Sequence, residues 1–326
     1  MARLTLSRLR TQFRCGIALW LILGSVSWLP ACQSGGPALE PTRPTPETGG
    51  AMASDKAFDI FYTAYSDQPP VDAYLHIYPN GRAELYVGTY ASVPGQLADQ
   101  VGFFGMALAQ DTLASLNTFL LQEKFLSRSV GTPPALPFDT VVRGVTLTLG
   151  GQHIRLVMAN LDKDKALSKL EQMLMDIMRE AAKHPLRAAQ ATLSLTWDGP
   201  KLRPELTITN VGTEPLPLVV FDPANEFTNL EVEFTFIQLD QFYPSVTTSR
   251  DDIAALVQAG SLPSDVQPLA AGASYQFALP SFAPPSNDPA LTVMGTVTLW
   301  WPDVGGTNLR RAVVQTASVP LPPATP

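Results

Sequence analysis

The chain has 326 residues, 45% of them apolar and 16% charged, and a formal net charge of −7. That length provides for about two domains of ordinary size, and the acidic balance argues against nucleic acid or an anionic lipid surface as a partner. With only Cys15 and Cys32, the sequence excludes a fold stapled by several disulfides, so stability must come from packed cores.

Residues 1–31 come first in chain order. They carry Arg3, Arg8, Arg10 and Arg14, no acidic residue, and the apolar run CGIALWLILGSVSWL from Cys15 to Leu29. A basic start, a short apolar core and a small residue at its end describe a secretory signal. A membrane-spanning helix needs roughly 20 apolar residues, more than this run supplies. The segment Leu29-Pro30-Ala31-Cys32 resembles the lipobox of bacterial lipoproteins. The resemblance implies cleavage after Ala31 and lipidation of Cys32, whose acyl chains would anchor the protein to a membrane. A disulfide is a poor alternative, since Cys15 would leave with the leader. A catalytic thiol needs a structured pocket, which the surroundings of Cys32 do not offer. Loss of the four arginines takes the formal charge from −7 to −11. Gln33 after the Cys, where an Asp would signal inner-membrane retention, favours by the same resemblance an outer-membrane anchor facing the periplasm in a Gram-negative envelope.

Residues 32–56 hold Cys32 and then four prolines and four glycines without apolar periodicity, which reads as a flexible tether. Of the 30 prolines, 17 lie within 200–326, and the long helical patterns stop before that point, so a domain boundary is expected at 185/186.

The segment 57–185 reads as an α+β domain. DAYLHIYPNGRAELYVGTY is a hairpin whose register follows from its side chains. A three-residue Pro79-Asn80-Gly81 loop pairs Leu75 with Leu85, Ile77 with Ala83 and Ala73 with Val87. The other face then carries Tyr74 with Tyr86, His76 with Glu84 and Tyr78 with Arg82. A two-residue loop would mix polar and apolar partners, and Gly suits the left-handed bulge position. In VVRGVTLTLGGQHIRLVMA the same test places a tight Gly150-Gly151 turn, with Leu147 facing Ile154 and Val145 facing Leu156. Further strands are expected at 58–65 and 102–108. Helices at about 111–122 and 163–183 present leucine stripes that suit one face of an antiparallel sheet.

The segment 186–326 reads as all-β, with strands at 191–197, 204–210, 216–221, 230–239, 274–279, 291–301 and 311–319. Seven short strands separated by Pro, Gly, Asn and Asp suggest a two-sheet sandwich. LTITNVGTEPLPL and QPLAAGASYQFALP look like stretches of bacterial immunoglobulin-like domains, a resemblance that implies a fold and no activity. Ser249 to Asp252 fits a capping box opening one short helix.

The screen for chemistry is mostly negative. The sequence holds no metalloprotease, nucleophile-elbow, P-loop or dinucleotide signature. The three histidines, His76, His153 and His184, are spread too widely to suggest a zinc site, and no cofactor is expected. His76 with Glu84 is a possible acid/base couple, although opposite charges across strands are also ordinary sheet stabilisers. Asp162-Lys163-Asp164 reads as a helix start, and Asp222, Glu226, Glu231 and Glu233 have no recognisable calcium spacing. The best remaining feature is the polar sheet face with Tyr74, His76, Tyr78, Glu84 and Tyr86, a possible binding surface. The resulting expectation is a lipid-anchored envelope protein, non-catalytic rather than enzymatic, that binds a protein or a glycan. A hydrolase without a recognisable motif, and a protease inhibitor presenting the Pro-rich segment near 280–290, are the alternatives.

Overall fold

A computed structural model of the chain describes residues 58–66, 71–90, 100–128, 141–158, 163–225, 227–238, 241–302 and 309–323. The leader, Cys32 and the tether lie outside the described residues. In the first part of the chain the strands are β1 (Phe58–Ser66), β2 (Val71–Ile77), β3 (Arg82–Val87) and β4 (Gln100–Ala107). Helix α1 (Gln110–Gln122) follows, then β5 (Val142–Leu149), β6 (Gln152–Val157) and helix α2 (Lys165–Ala181).

Both hairpin registers follow the segregation of polar and apolar faces. Tyr74 lies opposite Tyr86, His76 opposite Glu84 and Leu75 opposite Leu85. Gly81 supplies the positive φ, +83°, that closes this turn. In the β5–β6 hairpin Leu147 faces Ile154 and Thr148 faces His153, across Gly150 and Gly151, both at positive φ.

The remaining elements are β7 (Pro185–Asp198), β8 (Lys201–Asn210), β9 (Leu216–Val219), β10 (Glu231–Gln238), β11 (Gln241–Phe242) and β12 (Val246–Thr247). Then come helix α3 (Arg250–Gln258), β13 (Asp265–Leu269), β14 (Ser274–Ala278), β15 (Thr292–Pro302), β16 (Leu309–Gln315) and β17 (Val319–Pro320). The described residues thus form two antiparallel sheets with three α-helices. The first sheet runs β14-β8-β7-β4-β3-β2-β1-β5-β6, and the second is built on β11-β10-β15-β9-β13, with β12 on β10 and β16 and β17 on β15.

The position expected for a boundary, 185/186, falls at the first residues of β7, and β7 hydrogen-bonds to β4. One sheet therefore passes through that point, and residues 51–326 form a single compact unit. Gly102 makes the junction possible. Its φ is +132°, and a Cβ there would stand 2.3 Å from the Arg187 carbonyl oxygen. Only glycine lets the β4 and β7 backbones approach so closely.

Helix α2 buries Leu170, Leu174, Ile177, Met178 and Ala181, and α1 buries Leu116, Phe119 and Leu120. They pack with the apolar side chains of the first sheet, including Ile60, Leu75, Leu85, Phe104 and Leu147, in one core. Asp164 caps α2 by accepting from the Ala166 and Leu167 amides at 3.0 Å each, and Arg128 pairs with its other oxygen at 2.6 Å. These bonds hold its carboxyl below the usual range, the Leu167 amide being the largest cause. The capping box expected at Ser249 and Asp252 opens α3.

Several contacts fasten the second sheet to the first. The Tyr86 hydroxyl donates to the Arg311 carbonyl at 2.8 Å, and the Trp197 indole donates to the Pro322 carbonyl at 2.8 Å. Trp301 turns inward and is 1% exposed, while its neighbour Trp300 is half-buried, as alternation in a strand requires.

Candidate binding groove on the tyrosine face

Helices cover one face of the strands β1 to β3. The opposite face is set by alternation: Asp59, Phe61, Thr63 and Tyr65 from β1, Asp72, Tyr74 and His76 from β2, and Arg82, Glu84 and Tyr86 from β3. Across it lies a row of rings. Phe61 and Tyr74 have centroids 5.4 Å apart, Tyr74 and Tyr86 5.4 Å, and Tyr86 and Phe103 5.0 Å. Such pairs contribute about 0.5–1.5 kcal/mol each beyond the area they bury. His76 stacks on Tyr78 with centroids 3.8 Å apart.

The face is only partly open, which the sequence reading did not anticipate. β16 crosses one side of it, with Thr89 bridged to Val313 and the Tyr90 amide donating to the Val313 carbonyl. Tyr86 is consequently 1% exposed and Glu84 6%. Tyr86 supports the face from beneath and does not present a surface of its own. What remains open is a groove of about 400 Å³ lined by Phe61, Thr63, Tyr65, Asp72, Tyr74, His76, Tyr78 and Glu84, with Ala64 and Ala73, and by Arg310 from β16. The structure therefore brings Tyr74, His76, Tyr78 and Glu84 together. It adds Phe61, Tyr65, Asp72 and Arg310, which sequence reasoning missed. The β1 residues were legible in principle, because β1 alternates too. Arg310 was not, since its place depends on how β16 crosses the sheet.

His76 and Glu84 are cross-strand neighbours, yet they do not form the couple that spacing suggests. The imidazole Nε2 lies 2.9 Å from Asp59 Oδ1. Glu84 instead accepts from the Tyr74 hydroxyl at 3.5 Å and from Arg82 at 3.2 Å. Burial, followed by the Glu84 charge, pushes the Tyr74 phenol well above its ordinary value, and the same two causes in the same order raise Tyr78. Burial also raises the Asp72 carboxyl, with Arg310 and Arg311 opposing. An Asp–His pair orients an imidazole, but nucleophilic catalysis also needs an activated hydroxyl or thiol. The groove lining contains no serine or cysteine, and its hydroxyls are those of Thr63 and the tyrosines.

The other histidines lie elsewhere. His153 meets the Thr148 hydroxyl at 3.2 Å on the β5–β6 hairpin, and His184 follows α2, 3.9 Å from Glu180. Among the described residues no three His, Cys, Asp or Glu side chains converge as metal ligands. Of the acidic positions weighed for calcium, Asp162 and Glu226 lie outside the described residues. The Pro-rich segment 280–290 is pinned to the scaffold. Phe282 exchanges backbone hydrogen bonds with Leu202, at 2.8 and 2.9 Å, and its ring packs on Phe234. Among the described residues no helix is long and apolar enough to cross a membrane. No known family model, curated protein or solved structure matches the chain.

Proposed function

We propose that this protein is a lipid-anchored component of a bacterial cell envelope and a non-catalytic binding module, with its ligand in the groove between β1–β3 and β16. The observation that carries the binding reading is the groove itself. Half-buried aromatic rings, carboxylates and a guanidinium converge there, and no serine or cysteine is among the described residues that line it. The lipobox-like Leu29-Pro30-Ala31-Cys32 supports the anchor, Cys32 being the lipidated residue, and Gln33 supports outer-membrane placement facing the periplasm where the envelope is Gram-negative. The architecture is read as an α+β portion over 57–185, supported by two helices on one sheet face. The portion 186–326 is read as an immunoglobulin-like sandwich, supported by the bonds that join β7 and β8 to the second sheet and its flanking segments.

Photo-crosslinking in cells tests the binding role, with a benzophenone amino acid replacing Tyr65, which is 54% exposed at the groove. A crosslinked species is expected from this position and not from Lys201, the exposed first residue of β8. Failure to crosslink at Tyr65 would remove the reading. The anchor is tested separately: Cys32→Ala should shift the protein from membranes to the soluble fraction and abolish incorporation of labelled fatty acid.

A further inference from the structure

We infer that the groove takes a neutral glycan, with the faces of its pyranose rings lying on Phe61, Tyr74 and Tyr78. The inference rests on the binding-module reading above and narrows its ligand class.

β1 lies between β2 and β5, β2 between β1 and β3, and β3 between β2 and β4. Their amides and carbonyls are consumed by ladders on both sides, so an extended peptide finds no free edge on the groove floor, where recognition goes through side chains.

A protein hot spot buries an anchor in a desolvated apolar pocket. The purely apolar lining here is Phe61, Ala64 and Ala73, too little to enclose such an anchor. Rings offer flat surface instead, that of Tyr78 being backed by His76 on one side, with the Arg82 guanidinium 5.7 Å from its centroid. The C–H face of a pyranose can lie on such a ring while its equatorial hydroxyls point sideways, and sideways is where the polar groups stand.

Neighbouring sugar hydroxyls suit planar, bifunctional partners, and Glu84, Asp72 and Arg310 supply two carboxylates and one guanidinium. A carboxylate accepts at about four positions, and Glu84 already holds Tyr74 and Arg82. Arg310 is exposed and presents a donor fork. Asp59, Asp72 and Glu84 stand against Arg82, Arg310 and Arg311, so the local charge is balanced and gives a uronate- or phosphate-bearing polymer no net attraction.

The test applies the purified full chain to an array of neutral oligosaccharides of glucose, mannose, galactose and N-acetylglucosamine beside uronate-bearing and phosphorylated ones. Phe61→Leu keeps apolar volume and removes the ring, and Tyr78→Ala removes an only partly buried ring. Both should therefore stay folded, with the melting temperature lowered by no more than a few degrees. Retention on at least one neutral class is expected, weakened tenfold or more by each variant and little matched by anionic glycans. Retention of no glycan, retention untouched by both variants, or preference for anionic glycans would overturn the inference. The crosslinking at Tyr65 separates the two levels. A protein crosslink lost in Tyr78→Ala, with a blank array, sinks the glycan but keeps the binding module, whereas a blank in both removes both.

Discussion

The imidazole of His76 is held by Asp59, 2.9 Å away on β1, although Glu84 is the residue directly opposite it on β3. The Asp59 and His76 side chains are 36% and 24% exposed, so water screens the pair. A double-mutant cycle with Asp59→Ala and His76→Ala in urea should return a coupling of about 0.2–1 kcal/mol. A coupling above about 2 kcal/mol would show that the pair is held by more than a surface interaction, as a working catalytic dyad would require.

Gly102 decides whether the first sheet is continuous. Its added Cβ would meet backbone atoms at 2.3 and 2.8 Å, and backbone cannot swing aside as a side chain can. Gly102→Ala should therefore cost more than about 2 kcal/mol, combining strain at positive φ with separation of β7 from β4. Equilibrium unfolding measures this directly. A loss below about 0.5 kcal/mol would mean that β4 and β7 do not meet as described.

Local chemistry was legible in the sequence and long-range assembly was not. The two hairpin registers, the α2 stripe and the α3 capping box depend on residues within about a dozen positions of one another, where alternation and turn chemistry act directly. The passage of β7, β8 and β14 into the first sheet depends on pairings such as Gly102 with Ala188. No periodicity encodes those pairings, and Gly102 reads as an ordinary strand glycine until its neighbour is known. The same limit applied to the groove. Alternation put Tyr74, His76, Tyr78, Glu84 and Tyr86 on one face, but it could not show that β16 would cover Tyr86 and bring Arg310 to the rim.

Tyrosine burial predicts alkaline instability. Burial is the largest cause raising the phenols of Tyr62, Tyr74 and Tyr86, reinforced by Glu171, Glu84 and Asp72 respectively. A phenol raised in the folded state contributes fully below its unfolded value, near pH 10. That contribution is lost as the pH climbs toward the folded value. Stability should thus stay level with respect to these groups up to about pH 9.5 and then fall. The fully buried Tyr62 and Tyr86 each add a slope of up to about 1.4 kcal/mol per pH unit, and the half-buried Tyr74 adds less because solvent screens it. Tyrosinate absorbance should show these three of the eight tyrosines ionising only with unfolding. Smooth titration of all eight in the folded protein would refute this.

Asn210 joins the two sheets through its side-chain amide. It is fully buried, and its amide donates to the Glu214 and Leu269 carbonyls at 2.8 Å each while its oxygen accepts from the Gly212 amide at 2.9 Å. Leu269 belongs to β13 in the second sheet and Asn210 ends β8 in the first, so one side chain links the two sheets. Asn210→Ala leaves two carbonyls and an amide without their partner and should cost about 3 kcal/mol in denaturant unfolding. Asn210→Asp sets a carboxylate against those two carbonyls and should cost at least as much at neutral pH. Protonation restores one donor, and burial raises the pKa of such a group, so the penalty should shrink as the pH falls into the acidic range. Equal penalties for the aspartate variant at neutral and acidic pH would show that the side chain is not held between the two carbonyls.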